Sequence, residues 1–496
     1  MADAPPTSIR PAPGDYLQSN YQLWLVGHQL EHARAPWLDP YSFQPEVSAR
    51  VNFAGWPLGV PYWPLRALFD PLVAWNLIVL LSFVAAGLAT FGWLRELGLA
   101  RGAALVGGLA FALAPYRVEQ SAGHLLGIVA ILLPLALWAF ERGRRRGWGW
   151  FVVAAAAVAS IPLSGQVHLA LGAVPFFVVY AVIRTRERLA LLAAVATVVL
   201  AGLAGFLVRH FAIEGSIEHG GRSLAEVRRY SAPFSNFFDR ASPHAHEKFV
   251  YLGWATLVLA ALGVAALLVR RRYGIAVVLL VGAVVPALLA LGTHFPLYSR
   301  LWHGFVPFRY PRVPERLLPI ACLCLAALVA YALSFVRSSV VAPLLVGALL
   351  AVDLHVPIFS PLPGDPDNAA YAVLESRPPG RLLELPVFLP NRHEGSVYLL
   401  YELQAQRERP AGYSTLAPVE ADRTARRLRP LNCGDWTVHP QAVRRLGVRY
   451  VALHQELYAQ DTLLGETCMP LADLGLRHHG FRVLGSGKSF VLYERT

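Results

Sequence analysis

The chain has 496 residues, of which 55% are hydrophobic and only 15% charged, with a formal net charge of +12. So large an apolar share excludes an ordinary soluble enzyme as the whole of the molecule. The positive charge is almost wholly arginine, with lysine only at Lys248 and Lys488. Those arginines lie in loops between apolar blocks and are scattered through the tail, a pattern that excludes a nucleic-acid-binding surface.

Residues 1–70 precede the first apolar block. Within them "GDYLQSNYQLWLVGHQLE" places Leu17, Tyr21 and Trp24 at near-helical spacing, which predicts a short amphipathic helix. Asp15 opens it and admits two readings. Behind Gly14 it is a good helix start, and a carboxylate beside the membrane surface is also a general base or metal ligand. Gln18, Gln22 and His28 follow on the same segment. The stretch "NFAGWPLGVPYWPLRALFDP" is rich in Trp and Pro, as expected of an interfacial segment.

Ten apolar blocks come next, at 71–93, 103–116, 125–140, 149–163, 168–183, 189–211, 250–269, 274–292, 316–336 and 340–358. Several reach the roughly 20 residues that cross a bilayer core. The chain is therefore expected to be an α-helical polytopic membrane protein of about ten spans, with residues 71–358 as its membrane body. The loops "LRELGLARG", "ERGRRRG", "RTRER", "RRRY" and "VRSS" carry the basic residues, which puts the odd-numbered loops in the cytoplasm. Residue 14, the loops 212–249 and 293–315 and everything after 358 then face outward. An outward residue 14 needs either one more span upstream of this chain or translocation of residues 1–70 without a leader. The first is the simpler expectation.

Residues 359–496 read as an extracytoplasmic α/β domain behind the linker "PIFSPLPGDPDN". "RLLELPV", "LGVRYVALH" and "FRVLGSGKSFVLYER" are its strand-like runs. "GSGKS" at Gly485–Ser489 imitates a phosphate-binding loop. The glycine that motif needs five residues ahead of Gly487 is Arg482, and "FVLYER" alternates as a strand, so a hairpin turn is expected. Cys433 and Cys468 in the tail can pair, whereas Cys322 and Cys324 read as plain residues of a span.

Four polar clusters are not explained by membrane insertion. One contains Asp15. The second, "APYRVEQSAGH", crowds Arg117, Glu119, Gln120 and His124 between two blocks, with Gln166 and His168 of "SGQVH" at the next turn on that side. An exposed turn and a phosphate or metal site are both open readings. The third, "VPFRYPRVPER", holds Arg309, Arg312, Glu315 and Arg316; guanidinium forks fit phosphate oxygens, and snorkelling to lipid headgroups is the alternative. The fourth, "SPHAHEKFVYLG", offers His244, His246 and Glu247 as a weak metal signal.

Taken with their order, "GDYLQSNYQLW", "WPLGVPYWPLRALFDPLVAWNL", "GLARGAALVGGLAFALAPYRVEQSAGHLLG", "HEKFVYLGW" and "FRYPRVPERLLPI" resemble bacterial membrane proteins of the GT-C glycosyltransferase superfamily. They are most similar to a group with an outer α/β tail. The resemblance implies an inverting transferase in the bacterial cytoplasmic membrane. It would take a sugar from a polyprenyl-phosphate donor and pass it, on the outer face, to an envelope glycan, lipid or protein. It implies Asp15 as the catalytic acid of the first outer loop, with Glu119 and His124 in the second polar cluster. Arg309, Arg312 and Arg316 are the expected phosphate ligands, with Arg117 and His124 as further substrate-binding candidates. The paired acids common in that superfamily are missing, since Tyr16 and Leu17 follow Asp15. A divalent ion, Mg or Mn, is thus implied with no assigned ligands. Trp24, Trp56 and Trp63 have stacking on sugar or prenyl chain, or simple interface anchoring, as their two roles. The competing functional class is a non-catalytic carrier or binding protein for lipid-linked sugars.

Overall fold

The computed structural model describes residues 12–47, 50–240, 247–335, 340–356, 368–437, 441–460, 465–487 and 489–496. Each of the ten apolar blocks contains an apolar helix. Six are long and apolar enough to cross a membrane: Pro71–Glu96, Leu125–Arg146, Val167–Arg184, Arg188–Ile213, Tyr273–Ala290 and Pro314–Ala332. The other four, Arg101–Ala112, Gly149–Leu163, Trp254–Val269 and Val341–Asp353, are shorter than a full bilayer crossing requires. The chain is an α-helical polytopic membrane protein with a sheet-containing tail.

The described residues fall into two compact units. One draws on Met1–Asn76, Arg209–His219 and Pro361–Thr496, the other on Leu77–Val208 and Gly220–Ser360. The sequence separates 1–70 from 359–496, but the structure joins them in the first unit.

In the second unit, buried charges are paired where helices meet. The Glu141 carboxylate accepts from Arg184 Nε at 2.6 Å, Arg144 Nη1 at 2.8 Å and the Tyr180 hydroxyl at 2.6 Å. Tyr180 in turn accepts from the Trp93 indole at 2.8 Å. A carboxylate inside an apolar bundle is tolerated only with such partners. Trp254–Val269 starts later than its apolar block does. Gly253 has φ 88°, and Asp353 accepts from the Trp254 and Ala255 amides at 3.2 and 2.9 Å. A carboxylate from another helix thus satisfies amides that a helix start leaves without intrahelical partners.

In the first unit, the leading helix Asp15–Glu31 is not the one-faced amphipathic helix that the spacing predicts. Leu17, Tyr21 and Trp24 are buried as expected, but so are Leu23, Leu25 and Val26. Its neighbour is the segment Gly59–Leu68, and Gly59 lies so close to Val26 and Leu23 that a side chain there would collide with both. The segment after the helix is stitched to the tail by amide bonds: Arg409 to Tyr41, Gln44 to Arg409 and Phe43 to Ala411. Between them lies the fully buried Arg409, ion-paired to Glu384 and Glu402. Glu384 also accepts from the Tyr371 hydroxyl at 2.6 Å.

The tail sheet has four strands in the spatial order Arg381–Leu385, Val448–His454, Phe490–Arg495, Phe481–Ser486. The first pair is parallel and the other two antiparallel. All three strand-like runs of the sequence are strands. Leu383, Val451 and Tyr493 stand side by side across the sheet and enter its core with Trp436. The helix Val419–Leu428 buries Ala421, Ala425 and Leu428, one stripe at helical spacing, and leaves Arg423 and Arg426 outside. Gly485 and Ser486 of "GSGKS" end the strand Phe481–Ser486 and the Gly487 amide bonds to the Phe490 carbonyl at 3.0 Å, while Lys488 lies outside the described residues. Cys433 and Cys468 form a disulfide with Cα atoms 4.2 Å apart.

Candidate functional site

Asp15 lies in the first unit. Gly14 takes the N-cap position and Asp15 is the first helical residue, so its carboxylate sits in the first turn, where the helix dipole favours negative charge. It is anchored from the tail. The Tyr413 hydroxyl donates to Asp15 Oδ1 at 2.6 Å, and His393 Nε2 lies 3.9 Å from the same oxygen. The His393 and Tyr413 rings meet edge to face at 5.3 Å. Gln18 donates to the Tyr413 carbonyl at 2.7 Å, and the Gly14 amide donates to Ser396 Oγ at 3.0 Å. These bonds lock the start of the helix against the tail. The Asp15 side chain keeps 24% of its surface exposed and His393 keeps 57%. A held carboxylate with an open side and an adjacent imidazole is competent for general acid–base chemistry.

That environment does not supply the oxygen cage of a hard divalent ion, which takes six or more oxygen ligands. Among the described residues, Asp15 belongs to no group of three His, Cys, Asp or Glu side chains close enough to share an ion.

The second unit contains the other candidates. Glu119 lies on the short helix Pro115–Ser121, where it accepts from the Gln120 side chain at 2.5 Å. Burial raises its pKa from 4.5 to about 7, against the lowering effects of Gln120 and Arg316. Arg316 donates to Glu247 at 3.3 Å, and Arg312 is 4.0 Å from the same oxygen while its guanidinium covers the Tyr230 ring. Glu247 has φ 58°, a left-handed conformation that non-glycine residues rarely adopt and that concentrates at functional positions. Glu315 is fully buried, and among the described residues neither carboxylate oxygen has a hydrogen-bond partner. It interacts electrostatically with Glu119, Glu247 and Arg316. Three carboxylates and two arginines thus form one coupled group. Arg312 and Arg316 remain about a quarter exposed.

Two predicted arginines are placed otherwise. Arg117 is fully buried and donates to the backbone carbonyls of Ala112 and Ser82 at 2.9 and 2.8 Å. Its guanidinium ties the end of the helix Arg101–Ala112 to the middle of Pro71–Glu96. Arg309 donates to the carbonyls of Trp302 and His303 at 3.1 and 3.0 Å, closing the C-terminal end of the helix Pro296–Gly304. His124 immediately precedes the helix Leu125–Val129 and makes no side-chain cap. His168 is buried, and Arg316 and Arg222 act on it electrostatically. His244 and His246 lie outside the described residues. Sequence reading missed Tyr413 and His393. Their only local signals are "AGYS" and "NRHEG", and they lie in the tail, far along the chain from Asp15.

No protein-family profile matches the chain, and no curated protein matches it by sequence. Solved structures do resemble it. The archaeal oligosaccharyltransferase AglB of Archaeoglobus fulgidus, bound to an inhibitory peptide and a dolichol-phosphate, aligns with TM-score 0.49 and 14% identity. That alignment covers 98% of this chain and 71% of the other. The oligosaccharyltransferase of the same organism in complex with Zn and sulfate gives 0.47 and 14%, over 98% and 70%. ArnT of Cupriavidus metallidurans bound to undecaprenyl phosphate gives 0.40 and 15%, over 98% and 94%. Likenesses of this strength assign neither donor nor acceptor to the present chain.

Proposed function

We propose that this protein is an inverting membrane glycosyltransferase that moves a sugar from a polyprenyl-phosphate donor to an envelope glycan, lipid or protein. The observation that carries the proposal is the Asp15 carboxylate, which the Tyr413 hydroxyl holds at 2.6 Å while part of its surface stays open. As general base, Asp15 takes the proton of the acceptor hydroxyl. The acceptor oxygen then forms its bond to the anomeric carbon from the face opposite the phosphate. The bond from that carbon to the phosphate oxygen breaks, and polyprenyl phosphate departs with the electron pair. In the second unit, Arg312 and Arg316 are the proposed ligands for a donor phosphate, since guanidinium forks fit phosphate oxygens. Glu247 is the carboxylate that both arginines face. Glu119, whose carboxyl burial raises to about 7, is the second unit's proposed acid–base residue. Arg117 and Arg309 are left out of phosphate binding, because carbonyls already take their donors.

The basic loops support insertion in the bacterial cytoplasmic membrane with the tail outside. The resemblance of the "GDYLQSNYQLW" to "FRYPRVPERLLPI" series supports the choice of donor. Mass spectrometry of envelope glycans and polyprenyl-linked intermediates in a deletion strain tests the reading. Loss of one sugar with accumulation of its polyprenyl-phosphate donor is expected. Unchanged glycans and intermediates contradict it, whereas donor trapped with its sugar still on the cytoplasmic face would favour the carrier.

A further inference from the structure

The far end of the leading helix carries a second constellation, remote from Asp15 along the chain. In "HQLEH", His28, Glu31 and His32 stand at helical positions i, i+3 and i+4, and such residues share one helix face. One ligand atom from each lies within 4.8 Å of the others, close enough for small rotamer adjustments to bring all three onto a single ion. We propose that His28, Glu31 and His32 form a binding site for a divalent transition-metal ion of the zinc type, separate from the transfer chemistry assigned to Asp15.

Neighbouring bonds prepare each ligand. His32 Nδ1 lies 2.8 Å from the His28 carbonyl, which can only accept, so the proton sits on Nδ1 and the Nε2 lone pair is left for the ion. His28 Nε2 lies 2.6 Å from the Tyr41 hydroxyl. When that nitrogen donates to the hydroxyl oxygen, Nδ1 is the ligand atom. The His28 ring is also stacked on Trp24, with centroids 4.4 Å apart, which restricts its rotation. Glu31 Oε1 accepts from the Trp63 indole, so the other oxygen faces the ion as the third ligand. Partners of this kind behind ligating side chains fix tautomer and orientation at zinc sites.

The ion class follows from the donors. Two imidazoles and one carboxylate suit Zn2+ with water as fourth ligand, and they do not suit Mg2+, which demands an oxygen shell. The position also favours a cation. Glu31 ends the helix and His32 is its C-cap, at the negative end of the helix dipole. Arg34 lies close enough to act on His28 electrostatically and opposes the ion, while Glu31 offsets it. A bound ion would fasten the last turn of the helix and, through Trp63 and Tyr41, the two segments beside it.

The test uses the full chain, purified in detergent without a polyhistidine tag, stripped with chelator and dialysed against buffered Zn2+. Elemental analysis should find one zinc per chain, and Co2+ should give the visible spectrum of a tetrahedral site. His32→Ala and His28→Ala should each weaken zinc binding by more than ~100-fold, and Tyr41→Phe by ~10-fold, the range for loss of a supporting partner. Excess Mg2+ should not displace the zinc. His32 is exposed, so His32→Ala should keep the wild-type elution volume and proteolysis pattern. Sub-stoichiometric zinc in the wild type, or zinc that His32→Ala retains undiminished, would overturn the assignment.

Discussion

Glu119 gives a prediction whose sign follows from its burial. Its carboxyl titrates near 7 in the folded protein, against 4.5 as its ordinary value, because burial penalises the charged form. The native state therefore holds a proton that the unfolded chain releases, and between those two values it binds more protons than the unfolded state does. Stability from this group is fully present below about 4.5 and is lost as pH rises through about 7. A rise from 4.5 to about 7 corresponds to ~3 kcal/mol at most, less whatever solvent penetration screens. Glu119→Gln keeps the shape and a hydrogen-bonding partner for Gln120, and it removes the titration. Thermal unfolding in detergent at pH 5 and pH 8.5 should show the variant gaining ~3–5 °C relative to wild type at the higher pH. At the lower pH the gain should be much smaller. Parallel pH profiles for the two proteins would refute the reasoning, since the buried charge would then have no measurable cost.

Arg409→Met should destabilise the first unit by ~3–5 kcal/mol, because it leaves Glu384 and Glu402 buried without their cation; rapid limited proteolysis of the tail reports it. Replacing Cys433 and Cys468 with serine opens a loop of sequence separation 35 and should cost ~3–4 kcal/mol. Denaturant unfolding of oxidised, reduced and serine forms checks this, with the reduced and serine forms expected to agree. Tyr413→Phe deletes the hydrogen bond to Asp15 and should lower turnover by ~10-fold or more, as expected for a bond to a charged group. Assembly should be unaffected, since the ring and its contact with His393 remain.

The membrane body and the tail strands were legible because their signals are local. A run of apolar residues can satisfy its backbone in a bilayer only as a helix, and all ten runs are helical. "FVLYER" alternates and is a strand, paired antiparallel with Phe481–Ser486. Helix lengths were less legible. Gly253 and the cap from Asp353 shorten one block, and no local pattern encodes a cap supplied by another helix. The contacts that tie the first seventy residues to the tail were not legible, because their partners lie hundreds of residues later. Tyr413 beside Asp15 and Arg409 beside Tyr41 are such contacts. The arginines show the same limit. Arg117, Arg309, Arg312 and Arg316 look alike in sequence, yet two bond to backbone carbonyls and two face Glu247.

The most direct test of the central claim is complementation of the deletion strain with Asp15→Asn, expressed and inserted at the wild-type level, followed by mass spectrometry of polyprenyl-linked intermediates. If Asp15 is the base, transfer should fall by ~100-fold or more, with donor accumulating as it does in the deletion. Full restoration of the glycan by Asp15→Asn would contradict the account, reduce Asp15 to a residue that fastens the leading helix to Tyr413, and move the carrier reading ahead.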